Sequence, residues 1–174
     1  MQISWFVIDE YDRVVVFRDY IINPVGFSIT HESSRIHGIT DEFARKNGAE
    51  LYEVLSELEY TISECDIIVG HNLEFDIRVL QRAAFLYSYS NKYCGNDWSE
   101  IGFLNRINIK VCCTMKGSLN FLKEKGIYKF PKLSELYHHI FKNKPIGLHN
   151  SSIDMQITYE VYSWLIKNKK LVIQ

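Results

Sequence analysis

The stretch DIIVGHNLEFD, residues 66–76, decides the fold class of this 174-residue chain. Its first half contains the apolar run 67–69, which is too short for a helix and typical of a strand buried on both faces. Asn72 then stands where an N-cap would satisfy the first amide groups of a helix beginning at Leu73. A buried strand followed at once by a helix indicates an α/β domain.

Alternating elements are predicted on both sides of this stretch. Strands are expected at 3–8 and 14–22, around a turn at 9–12, and again at 109–113. Apolar residues at helical spacing predict five helices, at 51–62, 73–89, 115–123, 133–141 and 151–166. Residues 23–40 are predicted to be irregular and 90–108 to be a loop. This alternation predicts a sheet covered by helices on both faces.

The composition is that of a folded domain, with 47% hydrophobic and 24% charged residues and only 3 prolines. No apolar run approaches the roughly 18 residues that span a bilayer, and the N-terminus has none of the features of a signal peptide. A soluble cytoplasmic protein without a membrane partner is therefore expected. Cys65, Cys94, Cys112 and Cys113 form no Cys-x-x-Cys pair and are expected to be reduced and mostly buried.

Charge is divided unevenly along the chain, although the net charge is only −1. Residues 1–104 carry 8 basic and 17 acidic side chains, whereas residues 105–145, the basic segment, carry 9 basic and 2 acidic ones. This segment is either a solvated lysine-rich face or a surface for a polyanion, on which Tyr128 and Phe130 would stack against bases. The charges alone leave both interpretations open.

Three short stretches contain candidate functional residues. Residues 70–76, GHNLEFD, end in Asp76 in the first turns of a helix, directly after a buried strand, where α/β sheets form their ligand crevice. Residues 149–154, HNSSID, begin with a histidine and end with an aspartate at the start of the last helix. Residues 35–40, RIHGIT, close the irregular segment. Aspartates near helix N-termini also simply complement helix dipoles, so each stretch alone leaves both interpretations open.

In their order and spacing these stretches resemble the DnaQ-like 3′–5′ exonucleases of the DEDDh type, in the ribonuclease H-like superfamily. Five segments carry the resemblance along essentially the whole chain: 36–40, 70–76, 113–115, 132–137 and 149–154. Residues 70–76 resemble the family's second exonuclease motif, and residues 149–154 resemble the third, of the form His-x-x-x-x-Asp. The resemblance implies one exonuclease-like domain over 1–174, with a mixed sheet flanked by helices.

The resemblance also implies a reaction, namely hydrolysis of nucleic acid from its 3′ end with two Mg²⁺ or Mn²⁺ ions. Asp76 and Asp154 are then the metal ligands, because Mg²⁺ prefers hard oxygen donors. His149 is the general base that accepts the proton of the attacking water. Asn72 is either a helix cap or a contact to the substrate. The expected substrate has a free, preferably single-stranded 3′ end, and we favour DNA over RNA.

The family's first motif, an Asp-x-Glu on the first strand, is absent from this chain. Residues 3–8 align with the family's second strand, so the sequence begins just after the expected place of the first. Asp9, Glu10 and Asp12 have the wrong spacing and lie in the turn. We therefore expect an N-terminally incomplete domain that lacks the first strand, has impaired catalysis, and exposes strand edges that favour homodimers or strand exchange.

A second hypothesis comes from a different functional class. The chain would be a catalytically inactive exonuclease-like module that binds nucleic acid or another protein through the basic segment.

His37 and His71 are expected to pack or to form hydrogen bonds rather than to react.

Overall fold

A computed structural model describes residues 2–90 and 109–171 of the chain. Its strands are β1 (Gln2–Ile8), β2 (Val14–Ile21), β3 (Ile67–Gly70) and β4 (Lys110–Cys113). Its helices are α1 (His31–His37), α2 (Asp41–Asn47), α3 (Leu51–Ser63), α4 (Leu73–Ser90), α5 (Thr114–Gly117), α6 (Leu119–Lys123), α7 (Leu133–Phe141) and α8 (Ser151–Lys167). The predicted α/β class is confirmed.

The strands of the described residues form two separate pairs. β1 and β2 make an antiparallel hairpin in which Trp5 lies opposite Arg18. β3 and β4 pair in parallel, with Ile68 opposite Val111. In the described residues, one antiparallel pair and one parallel pair are therefore found where a single mixed sheet was expected. All four residues of β3 are half-buried rather than buried on both faces as predicted.

The chain groups into two compact units. The first unit comprises Met1–Thr61 and Gly147–Met155, and the second comprises Ile62–Ile146 and Gln156–Gln174. The hairpin therefore belongs to the first unit, and the parallel pair belongs to the second.

In the first unit the hairpin is joined to α3 by a polar network around Glu57. The Arg18 guanidinium and the Tyr20 hydroxyl both bind the Glu57 carboxylate, the hydroxyl at 2.7 Å. Tyr20 first, and then Arg18, lower the pKa of this carboxyl below its ordinary value. Because the two donors are two residues apart on β2, they lie on the same face of the strand and fix that face against the helix.

One predicted irregular segment, 23–40, contains a helix, so the prediction is wrong for α1. Thr30 caps this helix by accepting the Ser33 N–H at 3.2 Å. Gly38 ends the helix with a left-handed φ of +76°, a conformation that costs little without a side chain. None of the residues of α1 is buried, and the segment therefore has no apolar periodicity that would have revealed the helix.

The core of the second unit is a cluster of buried apolar side chains from α6, α7 and α8. Its members are Phe121, Leu122, Leu136, Val161 and Leu165. Around this cluster pack partly buried side chains, among them Ile127, Leu133 and Trp164. Three helices thus stabilise one another by excluding water from a shared apolar centre.

The helix predicted at 115–123 is divided into α5 and α6. The two helices are separated by the single residue Ser118, whose hydroxyl donates to the Met115 carbonyl at 3.2 Å. Its backbone keeps helical hydrogen bonds on both sides, because its N–H donates to the Thr114 carbonyl and its carbonyl accepts the Leu122 N–H, each at 3.1 Å. The apolar spacing continues across the break and gave no sign of it.

The cysteine prediction is confirmed in part. Cys65, Cys112 and Cys113 are free thiols, of which Cys112 is buried and the other two are half-buried. Cys94 and the predicted loop over 91–108 lie outside the described residues. Within the ranges that the structure describes, no helix combines the length and the apolarity needed to cross a bilayer.

The buried cluster generates a stability prediction. Replacing Leu122, which is fully buried, by alanine should lower the free energy of unfolding by about 3 kcal/mol, because the cavity left behind is only partly filled by relaxation. Ile146→Ala is the matched control, since Ile146 is 90% exposed and its loss should change the free energy by less than about 0.5 kcal/mol. Urea denaturation followed by circular dichroism measures both, and equal effects would contradict the assignment of this core.

Candidate functional site

The two candidate aspartates occupy the same position in their helices. Asp76 is the fourth residue of α4, and Asp154 is the fourth residue of α8. A residue with left-handed backbone precedes each helix, Asn72 at φ +60° and His149 at φ +75°. Outside glycine this conformation is uncommon, Asn and His adopt it more readily than most residues, and it occurs often near functional sites.

At the entry to α4 the backbone turns sharply. The Asn72 carbonyl accepts the Phe75 N–H at 2.8 Å, which closes the first turn. Glu74 is engaged elsewhere, because its carboxylate binds the Lys116 ammonium at 2.8 Å. Asp76 forms no ion pair with the part of the chain that the structure describes. Of the two acidic residues in this turn, Asp76 is therefore the one whose charge is not neutralised.

The environment of Asp76 disfavours its ionised form. Asp76 is exposed as a residue, yet burial of its carboxyl by the surrounding protein raises the pKa of that group to about 6. At neutral pH the carboxylate is consequently charged and poorly solvated. A divalent cation would relieve this cost, and strongly shifted carboxyls are typical of functional sites.

At the entry to α8 a different residue supplies the cap. The Asn150 side-chain oxygen accepts the N–H groups of Ser152 at 3.0 Å and Ile153 at 3.3 Å. Asp154 is therefore not needed to cap the helix. Burial raises the pKa of Asp154, and a hydrogen bond from the His149 backbone opposes that rise. Its Oδ1 atom is buried.

The loop before α8 lies close against that helix. Gly147 has φ +80°, and a Cβ atom at this position would lie 2.5 Å from the Ile153 side chain. The left-handed backbone favours glycine here, and a side chain would also require the Ile153 terminal methyl to shift. The loop is thereby fixed on the helix that carries Asp154, and the His149 side chain remains exposed to solvent.

The structure thus brings together some of the predicted site residues. His149 and Asp154 are in direct contact within the first unit, whereas Asn72 and Asp76 belong to the second unit. Over residues 2–90 and 109–171 there is no group of three or more His, Cys, Asp or Glu side chains that could hold a metal ion. That Asp76, Asp154 and His149 act on one pair of cations stays a prediction.

Two histidines expected to form hydrogen bonds do so. His37 Nδ1 accepts the Ile39 N–H at 3.1 Å. His71 Nε2 lies 3.1 Å from the Pro131 carbonyl, and its Nδ1 lies 3.0 Å from the Thr114 hydroxyl. Burial lowers the pKa of His71, and its Nε2 donates to the Pro131 carbonyl, which can only accept. The Thr114 hydroxyl beside Nδ1 also contacts the Gly70 carbonyl at 3.2 Å. The sequence gave no sign of these two partners, because they lie 43 and 60 residues away.

The acidic turn between β1 and β2 has a structural role. The Asp9 carboxylate accepts the N–H groups of Tyr11 and Arg13, each at 2.9 Å, and binds the Arg13 guanidinium. Arg13 holds the pKa of Asp9 below its ordinary value. An aspartate with these partners closes a turn, as the spacing had predicted for this cluster.

Comparisons with known proteins identify a family by sequence and a similar fold among solved structures. The exonuclease family model RNase_T matches residues 1–162. A structure described as Exonuclease X in complex with 5′ overhanging duplex DNA is 18% identical, with a TM-score of 0.57, over 97% of this chain and 83% of that chain. E. coli Exonuclease I in complex with a dA16 oligonucleotide is also 18% identical, with a TM-score of 0.64, over 95% of this chain and 36% of that chain. Curated protein sequences give no match.

The shifted carboxyl generates a prediction for stability against pH. The folded-state pKa of Asp76, about 6, lies above its ordinary 3.8. The contribution of its protonated carboxyl to the free energy of unfolding is therefore complete at low pH and is lost as pH rises through about 6. Asp76→Asn removes this dependence. In metal-free buffer, the free energy of unfolding of the variant relative to wild type should therefore increase between about pH 4 and pH 7.

Glu135 provides a control of opposite sign. Lys129 lowers the pKa of Glu135 most, followed by the Lys132 N–H. The stabilising contribution of the ionised Glu135 to folding is therefore present at neutral pH and is lost on acidification. Glu135→Gln should therefore be less stable than wild type at pH 7, and the difference should shrink as pH falls. Urea titrations at several pH values measure both differences. If the free energies of unfolding of wild type and Asp76→Asn change in parallel with pH, the protein does not raise the pKa of Asp76.

Proposed function

Because the chain belongs to the RNase_T exonuclease family, of the DnaQ-like DEDDh type, we propose that it hydrolyses nucleic acid stepwise from a free 3′ end. The preferred substrate is a single-stranded end, and DNA is favoured over RNA. The two solved structures of similar fold are described in complex with DNA, which supports this preference. The observation on which the proposal chiefly depends is the position of Asp76, an exposed residue of α4 in the second family motif, whose carboxyl pKa is raised to about 6 by burial.

Asp76 and Asp154 are proposed as ligands of Mg²⁺ or Mn²⁺. Their carboxylates fit these hard cations, and Mg²⁺ is commonly bound through one or two carboxylates, with water and substrate phosphate completing the shell. When bound, two such ions activate water and stabilise the charge on the leaving 3′ oxygen. Burial raises the pKa of Asp76 to about 6, so cation binding there competes with a proton and affinity should fall as pH decreases towards about 6. Burial also raises the pKa of Asp154, so a proton competes with the cation there as well.

His149 is proposed as the general base. Its imidazole is exposed on the loop before α8, and its backbone N–H is bound by the Asp154 carboxylate. Imidazole accepts protons near neutral pH, which suits it to take the proton of an attacking water. The hydrogen bond fixes the backbone and leaves the ring able to rotate, so proton acceptor and metal ligand are positioned by one local structure.

We further propose that this polypeptide by itself is a slow enzyme. The 174 residues contain no Asp-x-Glu pair, and that motif supplies two carboxylates to the metal site in the family that the chain resembles. Metal catalysis contributes several kcal/mol, and each 1.36 kcal/mol corresponds to a factor of ten, so the rate should be at least about a thousandfold below that of a complete site.

A 3′-labelled single-stranded oligonucleotide tests these roles. With the protein in excess over DNA and with Mn²⁺ or Mg²⁺ present, the label should be released as a mononucleotide before shorter strands accumulate. Asp76→Asn and Asp154→Asn should each reduce release to the level seen with EDTA. His149→Gln should slow release at least about a hundredfold, the usual contribution of a general base.

Asp66→Asn is the matched control, because Asp66 is an exposed aspartate immediately before β3 and should be dispensable. Urea midpoints verify that each variant is folded. Release at the wild-type rate by Asp76→Asn would reject the site. A folded wild type that binds the strand with no release in either metal would favour the inactive binding module.

Asn72 has two proposed roles that one substitution separates. Asn72→Gly keeps the left-handed backbone at φ +60° and removes only the amide side chain. If the amide contacts the substrate, KM should rise several-fold, by about tenfold at most, with little change in the urea midpoint. A lower urea midpoint at unchanged KM would instead assign Asn72 to capping α4.

A further inference from the structure

The segment between α6 and α7, residues 127–132, is fixed to the second unit at both ends. The Ile127 N–H donates to the Leu122 carbonyl at 3.0 Å, and the Ile127 side chain packs against the buried cluster. Pro131 is buried, and its carbonyl accepts the hydrogen bond from His71. We call this segment the 127–132 loop. Its backbone is thus anchored by contacts with distant parts of the chain.

Glu135 adds a third anchor and neutralises part of the local charge. One of its carboxylate oxygens accepts the Lys132 N–H at 3.0 Å, and the other binds the Lys129 ammonium at 2.7 Å. Both contacts lower the pKa of Glu135, so its charge is matched at neutral pH by groups of the loop itself. The loop therefore presents no uncompensated negative charge.

Two aromatic rings stand exposed on this fixed backbone. Tyr128 is 78% and Phe130 is 55% exposed, and they are separated by Lys129 alone. Single exposed apolar side chains are ordinary, but here two exposed rings stand one residue apart on a loop whose backbone is anchored. Binding to such a loop costs little conformational entropy, since the backbone is already ordered.

The surroundings of these rings are positively charged. Four lysines lie within ten residues, all of them exposed: Lys123, Lys125, Lys129 and Lys132. Of the nearby acidic residues, Glu124 pairs with Lys170 at 2.6 Å, and Glu135 is engaged as described. The remaining charge attracts a polyanion.

We propose that the 127–132 loop is a second nucleic-acid-binding surface, distinct from the metal-ligand residues, on which bases of a single strand stack against Tyr128 and Phe130. The lysines attract the phosphates, and the rings contact the bases, whichever bases they are, because every base has a π-face. An acidic protein would satisfy the lysines but not the rings. The proposal depends on the proposed function only for the class of ligand.

Binding measured without catalysis tests this surface. Fluorescence anisotropy in EDTA compares a labelled oligothymidylate with an abasic strand of the same length and charge. Wild type should bind the strand with bases about tenfold or more tightly than the abasic strand. The double variant Tyr128→Ala, Phe130→Ala should lose about tenfold or more in affinity for oligothymidylate and little for the abasic strand.

Two variants control for the loss of an aromatic residue. Tyr11→Ala removes a tyrosine of comparable exposure, 69%, from the β1–β2 turn and should bind both strands as wild type does. The double variant Tyr128→Phe, Phe130→Tyr keeps both rings and should retain wild-type affinity. Urea midpoints identify any variant that is unfolded.

The outcomes separate this proposal from the proposed function. Equal affinity of wild type and the alanine double variant for oligothymidylate, or equal loss on both strands, would overturn the stacking surface even if 3′-end hydrolysis is observed. Displacement of the oligonucleotide by polyglutamate at equal charge concentration would also overturn it and point to an acidic protein. The expected loss, confined to the strand with bases, would support the surface even if no hydrolysis is found.

Discussion

In the second unit, the half-buried imidazole of His71 forms two hydrogen bonds that hold together the segments on which its candidate functional residues lie. The ring follows β3 directly and precedes α4, and it contacts Thr114 at the start of α5 and the Pro131 carbonyl. Loss of either partner would leave a largely desolvated polar nitrogen without compensation, which is costly. The same residue thus fixes the entry to the helix that carries Asp76 and one end of the 127–132 loop.

The pKa of an aspartate in this protein depends on the groups that surround its carboxyl. Asp9 and Asp76 are both aspartates near a turn, yet Arg13 lowers the pKa of the first while desolvation raises that of the second. An aspartate paired with arginine stabilises structure, whereas a poorly solvated one is available to a cation. This difference supports Asp76 and argues against the β1–β2 turn as the source of metal ligands.

Ion pairs redistribute the charge of the basic segment without changing its net value. Lys116 binds Glu74 and Glu124 binds Lys170, each from outside the segment, whereas the Lys129 and Glu135 pair is internal. Ion pairs between exposed side chains contribute little to stability. Among the described residues, Lys123, Lys125 and Lys132 form no ion pair, so positive charge remains close in sequence to Tyr128 and Phe130.

The α/β class, the order of most elements and the resemblance to the exonuclease family could be predicted from the amino-acid sequence, because periodicity and motif spacing are local properties. It missed α1, which buries no side chain, and α2, which buries Ala44, and it gave no sign of the interruption at Ser118 within an unbroken apolar pattern. It placed Asp76 and Asp154 near helix starts and left open whether they only complement helix dipoles. The folded chain was needed to show that protein atoms desolvate the Asp76 carboxyl and that His71 anchors a loop 60 residues away. Solvation and long-range hydrogen bonds depend on atoms that come together only when the chain folds.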